Sequence, residues 1–198
     1  MSVIIGIKTN NVVILGADKR LSTYNNQVIS DDNDKILAVN NHLAMAFAGN
    51  AAIQKAIEID IDRLGIDKQS LYVEDAINIL CSLYQRLKRT KAKTILSKSS
   101  CVRIGGLNKD KSLKLLAFSY VNGELDWSEV RGDKILFPPN DVSMKKCTEI
   151  FIGNFYSYIK IVIENTVQDI SNISNVVSKC GNKWIYDNRT HLSEKQDF

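Results

Sequence analysis

Apolar residues open this chain in two nearly unbroken runs, residues 2–9 and 12–17, separated by Asn10-Asn11. In the first run Val3, Ile5 and Ile7 fall on one face, Ile4 and Gly6 on the other, and no charge appears before Lys8. Two uncharged faces predict a central strand buried between layers. Asparagine tolerates the positive φ of tight turns, so the two runs read as a hairpin that delivers Asp18 at its end. A carboxylate emerging from a core strand needs a partner, because burying it alone is costly.

The period then changes. Ile53, Ala56, Ile57, Ile61 and Leu64 recur at helical spacing over residues 50–64, and Val73, Ala76, Ile77, Leu80, Tyr84 and Leu87 do so over 72–89. Gly65 and Asp67 mark the break between these helices. Strands are predicted over 101–104, 112–121 and 124–130, the last two joined by Asn122-Gly123, the strongest short hairpin signal in the chain. Pro138-Pro139 closes that section. Residues 148–152 read as another strand, and 155–166 and 169–179 as helices. This order predicts an α+β fold of two stacked antiparallel sheets with helices outside. At 198 residues the chain suffices for one domain with a sizeable core, spanning 1–198.

Composition narrows the function classes. A net charge of +4 is too modest to argue for nucleic acid. The basic run over residues 86–93 has no interleaved aromatics and reads as a solvated helix end or a docking surface for a neighbouring subunit. Cys81, Cys101, Cys147 and Cys180 show no CxxC spacing, and no signal peptide or transmembrane run is apparent, so reduced thiols in a cytoplasmic protein are expected. His42 and His191 are the only histidines, which leaves little for a Ser-His-Asp triad or a zinc site.

The start of the chain offers different chemistry. Met1 is followed by the small residue Ser2, so trimming of the methionine would leave serine as the mature N-terminus. One residue would then carry a hydroxyl nucleophile and a free α-amine. An N-terminal amine has a reference pKa of about 7.7–8.0, so near neutral pH part of it is a base able to deprotonate its own hydroxyl.

The opening strand, the hairpin, Ala17-Asp18-Lys19-Arg20, Lys35-Ile36 and Phe47-Ala48-Gly49-Asn50-Ala51 resemble proteasome β subunits and the bacterial HslV peptidase, which are N-terminal-nucleophile (Ntn) hydrolases. Near the other end, residues 180–188 followed by Ser193-Glu194 are similar to the last strand and tail of HslV. The resemblance implies a four-layer αββα sandwich, the Ntn hydrolase fold. Matched in order, the family's nucleophile, aspartate, lysine and oxyanion-hole glycine fall on Ser2, Asp18, Lys35 and Gly49. A lysine ammonium beside Ser2 would favour the alkoxide and keep the amine neutral, and Asp18 would hold that lysine charged and aim it. An ordinary ion pair at strand ends is the alternative for these two residues. Gly49 can bring a backbone N–H close because it has no Cβ, and Asn50 suits the N-cap of the following helix.

Two departures stand out. Serine replaces threonine at the nucleophile, losing the methyl group that stiffens χ1. Gly153-Asn154 lies where the family has a glycine-serine pair supporting the amine, so Asn154 takes that place without a hydroxyl. Asn175 and Ser178 share the mutual spacing of the family's aspartate and serine before the final strand, but alignment on Gly181 puts them out of register. Resemblance also assigns a first specificity pocket to Leu21, Asn33, Leu37, Phe47 and Ala51, mostly apolar and uncharged, with Leu37 and Phe47 equally suited to the core. It assigns backbone carbonyls of Gly181, Trp184 and Asp187 to a structural monovalent or divalent cation, with no other cofactor required.

The function so implied is a peptidase core subunit of a self-compartmentalising ring protease, a threonine-type endopeptidase with serine as nucleophile. Its partners would be like subunits in stacked rings, an α-type ring or ATP-dependent unfoldase, and unfolded polypeptide, with neither nucleic acid nor membrane. A catalytically silent ring subunit and a substrate-specific Ntn amidase or transpeptidase are the alternatives.

Overall fold

The structure, a computed structural model, describes residues 2–23, 27–63, 65, 67–90, 92, 96, 99–132, 134–155 and 161–198. Met1, Leu64, residues 91 and 93 of the basic run, and residues 156–160 of the helix expected over 155–166 lie outside the described residues.

Two antiparallel sheets form the centre. The first has the order β10-β1-β2-β11-β12, from β1 (Ile4–Lys8), β2 (Val12–Asp18), β10 (Lys134–Phe137), β11 (Gly181–Asp187) and β12 (Leu192–Asp197). The second has the order β5-β6-β7-β8-β9, from β5 (Ile36–Asn40), β6 (Leu43–Gly49), β7 (Ser100–Leu107), β8 (Leu113–Val121) and β9 (Glu124–Glu129). A small hairpin of β3 (Leu21–Ser22) and β4 (Val28–Ser30) follows β2. Helices α1 (Ala51–Arg63) and α2 (Val73–Arg89) cover the second sheet, and α3 (Met144–Phe155) and α4 (Val162–Ser171) cover the first.

Strand alternation explains why the layers stack. In β6, Leu43, Met45 and Phe47 pack with α1 and α2, while Ala44, Ala46 and Ala48 face the other sheet. Small residues on that inner face let the sheets close around Trp184 and Tyr186, both essentially buried. In β1, Val3, Ile5 and Ile7 join the cluster under α3 and α4, and Ile4 joins the layer between the sheets. The two-faced burial expected of the opening strand is therefore observed, and the fold is the αββα sandwich.

Local signals set most boundaries. Thr9 and Val12 close the first hairpin, with Thr9 N–H donating to the Val12 carbonyl at 2.8 Å. Asn122 (φ 52°) and Gly123 (φ 87°) both take the left-handed conformation that a two-residue hairpin demands. Helix α2 has Asp75 Oδ2 accepting from Tyr72 N–H at 3.0 Å, and Arg86, Lys88 and Arg89 in its last turn. Acidic groups at the start and basic ones at the end complement the helix dipole.

The second half requires two corrections. Residues 148–152 are not a strand; they lie inside α3. Cys147, Phe151 and Phe155 recur every fourth residue and pack against the first sheet, so the apolar run belongs to a helical face. A short apolar run cannot be told from buried helix by periodicity alone. The helices expected over 155–166 and 169–179 are replaced, in the described residues, by α4 alone. Its continuation fails because Asp141 accepts from Ser174 Oγ (2.8 Å) and Asn175 N–H (2.7 Å), and Ser174 Oγ accepts from Val176 N–H (3.2 Å). Such side-chain bonds compete directly with helical ones. Strands β3, β4 and β10 carry too little pattern to have been foreseen.

Candidate active site

Strand order brings the start of the chain to the end of β2. Ile4 pairs with Ala17, which sets Val3 beside Asp18. Asp18 Oδ1 accepts from Val3 N–H at 2.9 Å, and Oδ2 accepts from Arg20 N–H at 3.0 Å. The carboxylate thus fixes the backbone immediately after Ser2. Ser2 itself is buried.

Lys35 enters from the second sheet, just before β5. Its carbonyl accepts from Phe47 N–H at 2.9 Å, which anchors its backbone to β6. Its ammonium lies 2.9 Å from Asp18 Oδ2, with Asp18 completely buried and the lysine side chain 5% exposed. The two groups form a buried ion pair, in which Asp18 also accepts from two backbone N–H groups. Burial pushes Lys35 below the ordinary lysine value, against the opposing pull of Asp18. Burial also raises Asp18, against Lys35 and its two backbone N–H donors.

Gly49 closes β6 with φ at 92°, in the left-handed region that favours glycine. A Cβ there would sit 2.3 Å from the Ser99 carbonyl oxygen and 3.0 Å from Ser100 Cα, so backbone packs where a side chain would go. Phe47 N–H points towards β5, and strand alternation turns Gly49 N–H to the same side, beyond the point where β5 begins. Asn50 follows, its Oδ1 accepting from Ala52 N–H at 3.0 Å at the start of α1. A backbone donor and a helix N-terminus therefore border one recess.

That recess, about 370 Å³ including its open mouth, is lined by Ser2, Lys35 and Gly49. Leu21, Asn33, Phe47 and Ala51 line it too, whereas Leu37 lines a separate groove beside α1. Phe47 is 4% exposed and belongs to the core under α1 and α2, so it forms part of the recess wall and does not swing free. Arg20, Ser22 and Gln54 add polar lining that the apolar pocket expected from resemblance did not include.

Two assignments are not brought to this place. Asn154 sits in α3 with its side-chain amide donating to Asp169 Oδ2 at 2.8 Å, and it does not line the recess. Gly181, Trp184 and Asp187 lie along β11, with Gly181 and Asp187 at its two ends, about 20 Å apart at strand rise. Trp184 is mid-strand, paired with Leu15 on one side and Lys195 on the other. Carbonyls so spaced cannot converge on one ion, so these residues do not fit the cation. Among the described residues no group of His, Cys, Asp and Glu side chains has metal-binding geometry either.

Other contributors went unassigned in the sequence. Arg20 makes a forked pair with Asp31 (2.6 and 3.1 Å) and donates to the Asn175 carbonyl at 3.1 Å. Lys19 Nζ reaches Asp197 at 3.0 Å, Asp32 at 3.3 Å and Asp34 at 3.7 Å. Ser178 Oγ accepts from Lys19 N–H at 3.3 Å and donates to the Cys180 carbonyl at 2.7 Å. Asn175 and Ser178, out of register by sequence, thus brace the end of β2 in space. The signal available was charge: Lys19-Arg20 faces the acidic stretch Asp31-Asp32-Asn33-Asp34.

No helix among the described residues is long and apolar enough to cross a membrane. A search of curated proteins found no match. The family model for the proteasome subunit matches residues 2–115, which hold Ser2, Asp18, Lys35 and Gly49 as well as the β1–β2 hairpin and all of β5 and β6. The chain belongs to the proteasome subunit family.

Proposed function

We propose that the chain is a peptidase subunit that uses Ser2 as its nucleophile once Met1 is removed. The observation that supports this most is the placement of Asp18, which holds both the Val3 N–H and the Lys35 ammonium at the start of the chain. The Ser2 amine takes the proton of its own hydroxyl as Oγ bonds to the peptide carbonyl carbon. Gly49 N–H stabilises the resulting oxyanion, and the amine returns the proton to the leaving nitrogen as the C–N bond breaks. Water then attacks the ester, the acyl product leaves, and Oγ recovers its proton. Lys35 keeps the amine unprotonated and favours the alkoxide; Asp18 keeps Lys35 in place.

Proteasome family subunits generally assemble into stacked rings. In this reading like subunits enclose a chamber, unfolded polypeptide enters it, and an α-type ring or ATP-dependent unfoldase feeds it, in the cytoplasm. One observation favours the silent-subunit reading instead: the Asn154 amide is held by Asp169 and does not line the recess, so Asn154 does not support the amine. Hydrolysis of fluorogenic peptides by the purified assembly, with and without Ser2→Ala, separates the two. Turnover that disappears in Ser2→Ala with assembly intact supports the peptidase. Equal turnover in both proteins, or none in the wild type, overturns it.

A further inference from the structure

The start of β7 is held from below by a residue that the proposed chemistry does not use. Tyr84, in the middle of α2, is fully buried, and its hydroxyl shares a hydrogen bond with Ser100 Oγ, also buried. The Tyr84 ring is clamped by Tyr120 on β8, with centroids 4.7 Å apart and planes 24° from parallel, and by Phe118 at 5.8 Å. Tyr120 and Gly49 are the two cross-strand partners of Ser100. The ring, the hydroxyl and the β7 backbone therefore form a single stack ending at Gly49.

Gly49 is unusually sensitive to this stack. Its missing Cβ is replaced by the Ser99 carbonyl and Ser100 Cα, so these backbones touch with no side chain between them to absorb a shift. Its φ of 92° is one that L side chains rarely adopt. A tyrosine hydroxyl at zero exposure needs a hydrogen-bond partner, and Ser100 supplies it, so losing either hydroxyl leaves the other unsatisfied. Burial pushes the phenol up to about 12, so it stays neutral, with its proton, across the range in which the site would work.

We infer that Tyr84 is a positioning residue for the oxyanion donor: through Ser100 it fixes the backbone against which Gly49 is set. It touches neither substrate nor nucleophile. This inference rests on the peptidase reading for its kinetic consequence, and its geometric half stands without it.

The test is Tyr84→Phe, which keeps the stacked ring and removes only the hydroxyl, in the full assembled protein. The wild type is first shown to turn over peptide and to be inhibited by a peptide aldehyde, whose hemiacetal oxygen occupies the oxyanion position. In Tyr84→Phe, kcat falls about tenfold, because small misplacements of a catalytic group are expensive. Aldehyde inhibition weakens by a similar factor, while KM stays within twofold. Ser100→Ala gives the same pattern, and combining the two adds little, since both delete one bond. An unchanged kcat overturns the inference, as does a variant in which KM and melting temperature change while kcat and aldehyde inhibition do not. A wild type without turnover instead removes the peptidase reading. Crystal structures of wild type and Tyr84→Phe then decide the geometric half: a reoriented Gly49 peptide supports it, and an unmoved one refutes it.

Discussion

Lys35 and Lys183 are both buried against a carboxylate, and the difference between them separates a brace from a site. Lys183, in β11, meets Glu164 of α4, and that glutamate is 27% exposed. The pair ties a helix to a sheet. Lys35 meets Asp18, which has no exposure at all and also holds the backbone of Val3 and Arg20. Lys35 also lines a recess with Ser2 and Gly49. Burial alone does not mark a catalytic lysine. What sets Lys35 apart, in the proposed mechanism, is a carboxylate shared with the Val3 backbone and a recess shared with Ser2.

The contrast breaks most visibly on Lys35→Met. Peptide turnover should drop about 10²–10⁴-fold, the usual worth of a positioned acid–base group. Leaving Asp18 buried without its cation should also cost about 3–5 kcal/mol in a denaturation measurement. Lys183→Met is the control: a loss of about 1–3 kcal/mol on the same assay, with turnover per folded subunit unchanged. If Lys183→Met abolished turnover with the fold intact, the distinction would collapse.

Gly49→Ala sharpens the geometric side. The new methyl meets the Ser99 carbonyl at 2.3 Å in a backbone region that L-residues avoid, so about 1–3 kcal/mol of stability and nearly all turnover should disappear.

The pH profile of kcat/KM probes the same two groups. With the neutral Ser2 amine as base, as proposed, rate rises with pH through its pKa, at or below about 8 with the Lys35 charge nearby. The same proposal needs Lys35 charged, and burial has lowered it, so rate falls again below the ordinary lysine value. A profile still rising at and above that value would contradict the role given to Lys35.

The smallest effect concerns Asp31. Its hydrogen bond from Arg20 lowers its pKa in the folded protein, so the pair contributes above the ordinary aspartate value and is lost as pH falls through the lowered one. The partners are partly exposed, and about 0.2–1 kcal/mol is expected. Acid denaturation of Asp31→Asn should show that contribution missing, with neutral-pH turnover little changed.

The first half of the chain was far more legible than the second, for a physical reason. Residues 2–18 are apolar on both faces and residues 50–89 carry clean helical periods, so each element announced its environment. Asp18, Lys35 and Gly49 stand at strand ends, where pattern and chemistry coincide. Beyond residue 140 the apolar runs are short and β-branched, and what decides the structure is long-range: Asp141 capturing Ser174 and Asn175, and Cys147 and Phe151 finding the first sheet. Resemblance sets Gly153-Asn154 at the family's glycine-serine pair, yet the environment of Asn154 is a helix face beside Asp169. The three residues matched to a cation are likewise spread along β11, and main-chain carbonyls leave no mark in side-chain identity. Leu37 and Leu21 look alike in sequence, yet they line different grooves.

Intact mass before and after treatment with a peptide epoxyketone tests the central claim most directly, because that reagent needs the hydroxyl and the free α-amine of one residue to close its adduct. The account expects a chain lacking Met1 that gains one inhibitor per subunit, with the adduct absent in Ser2→Ala. A native chain that retains Met1, or one that loses it and forms no adduct with any of a panel of such peptides, would contradict it.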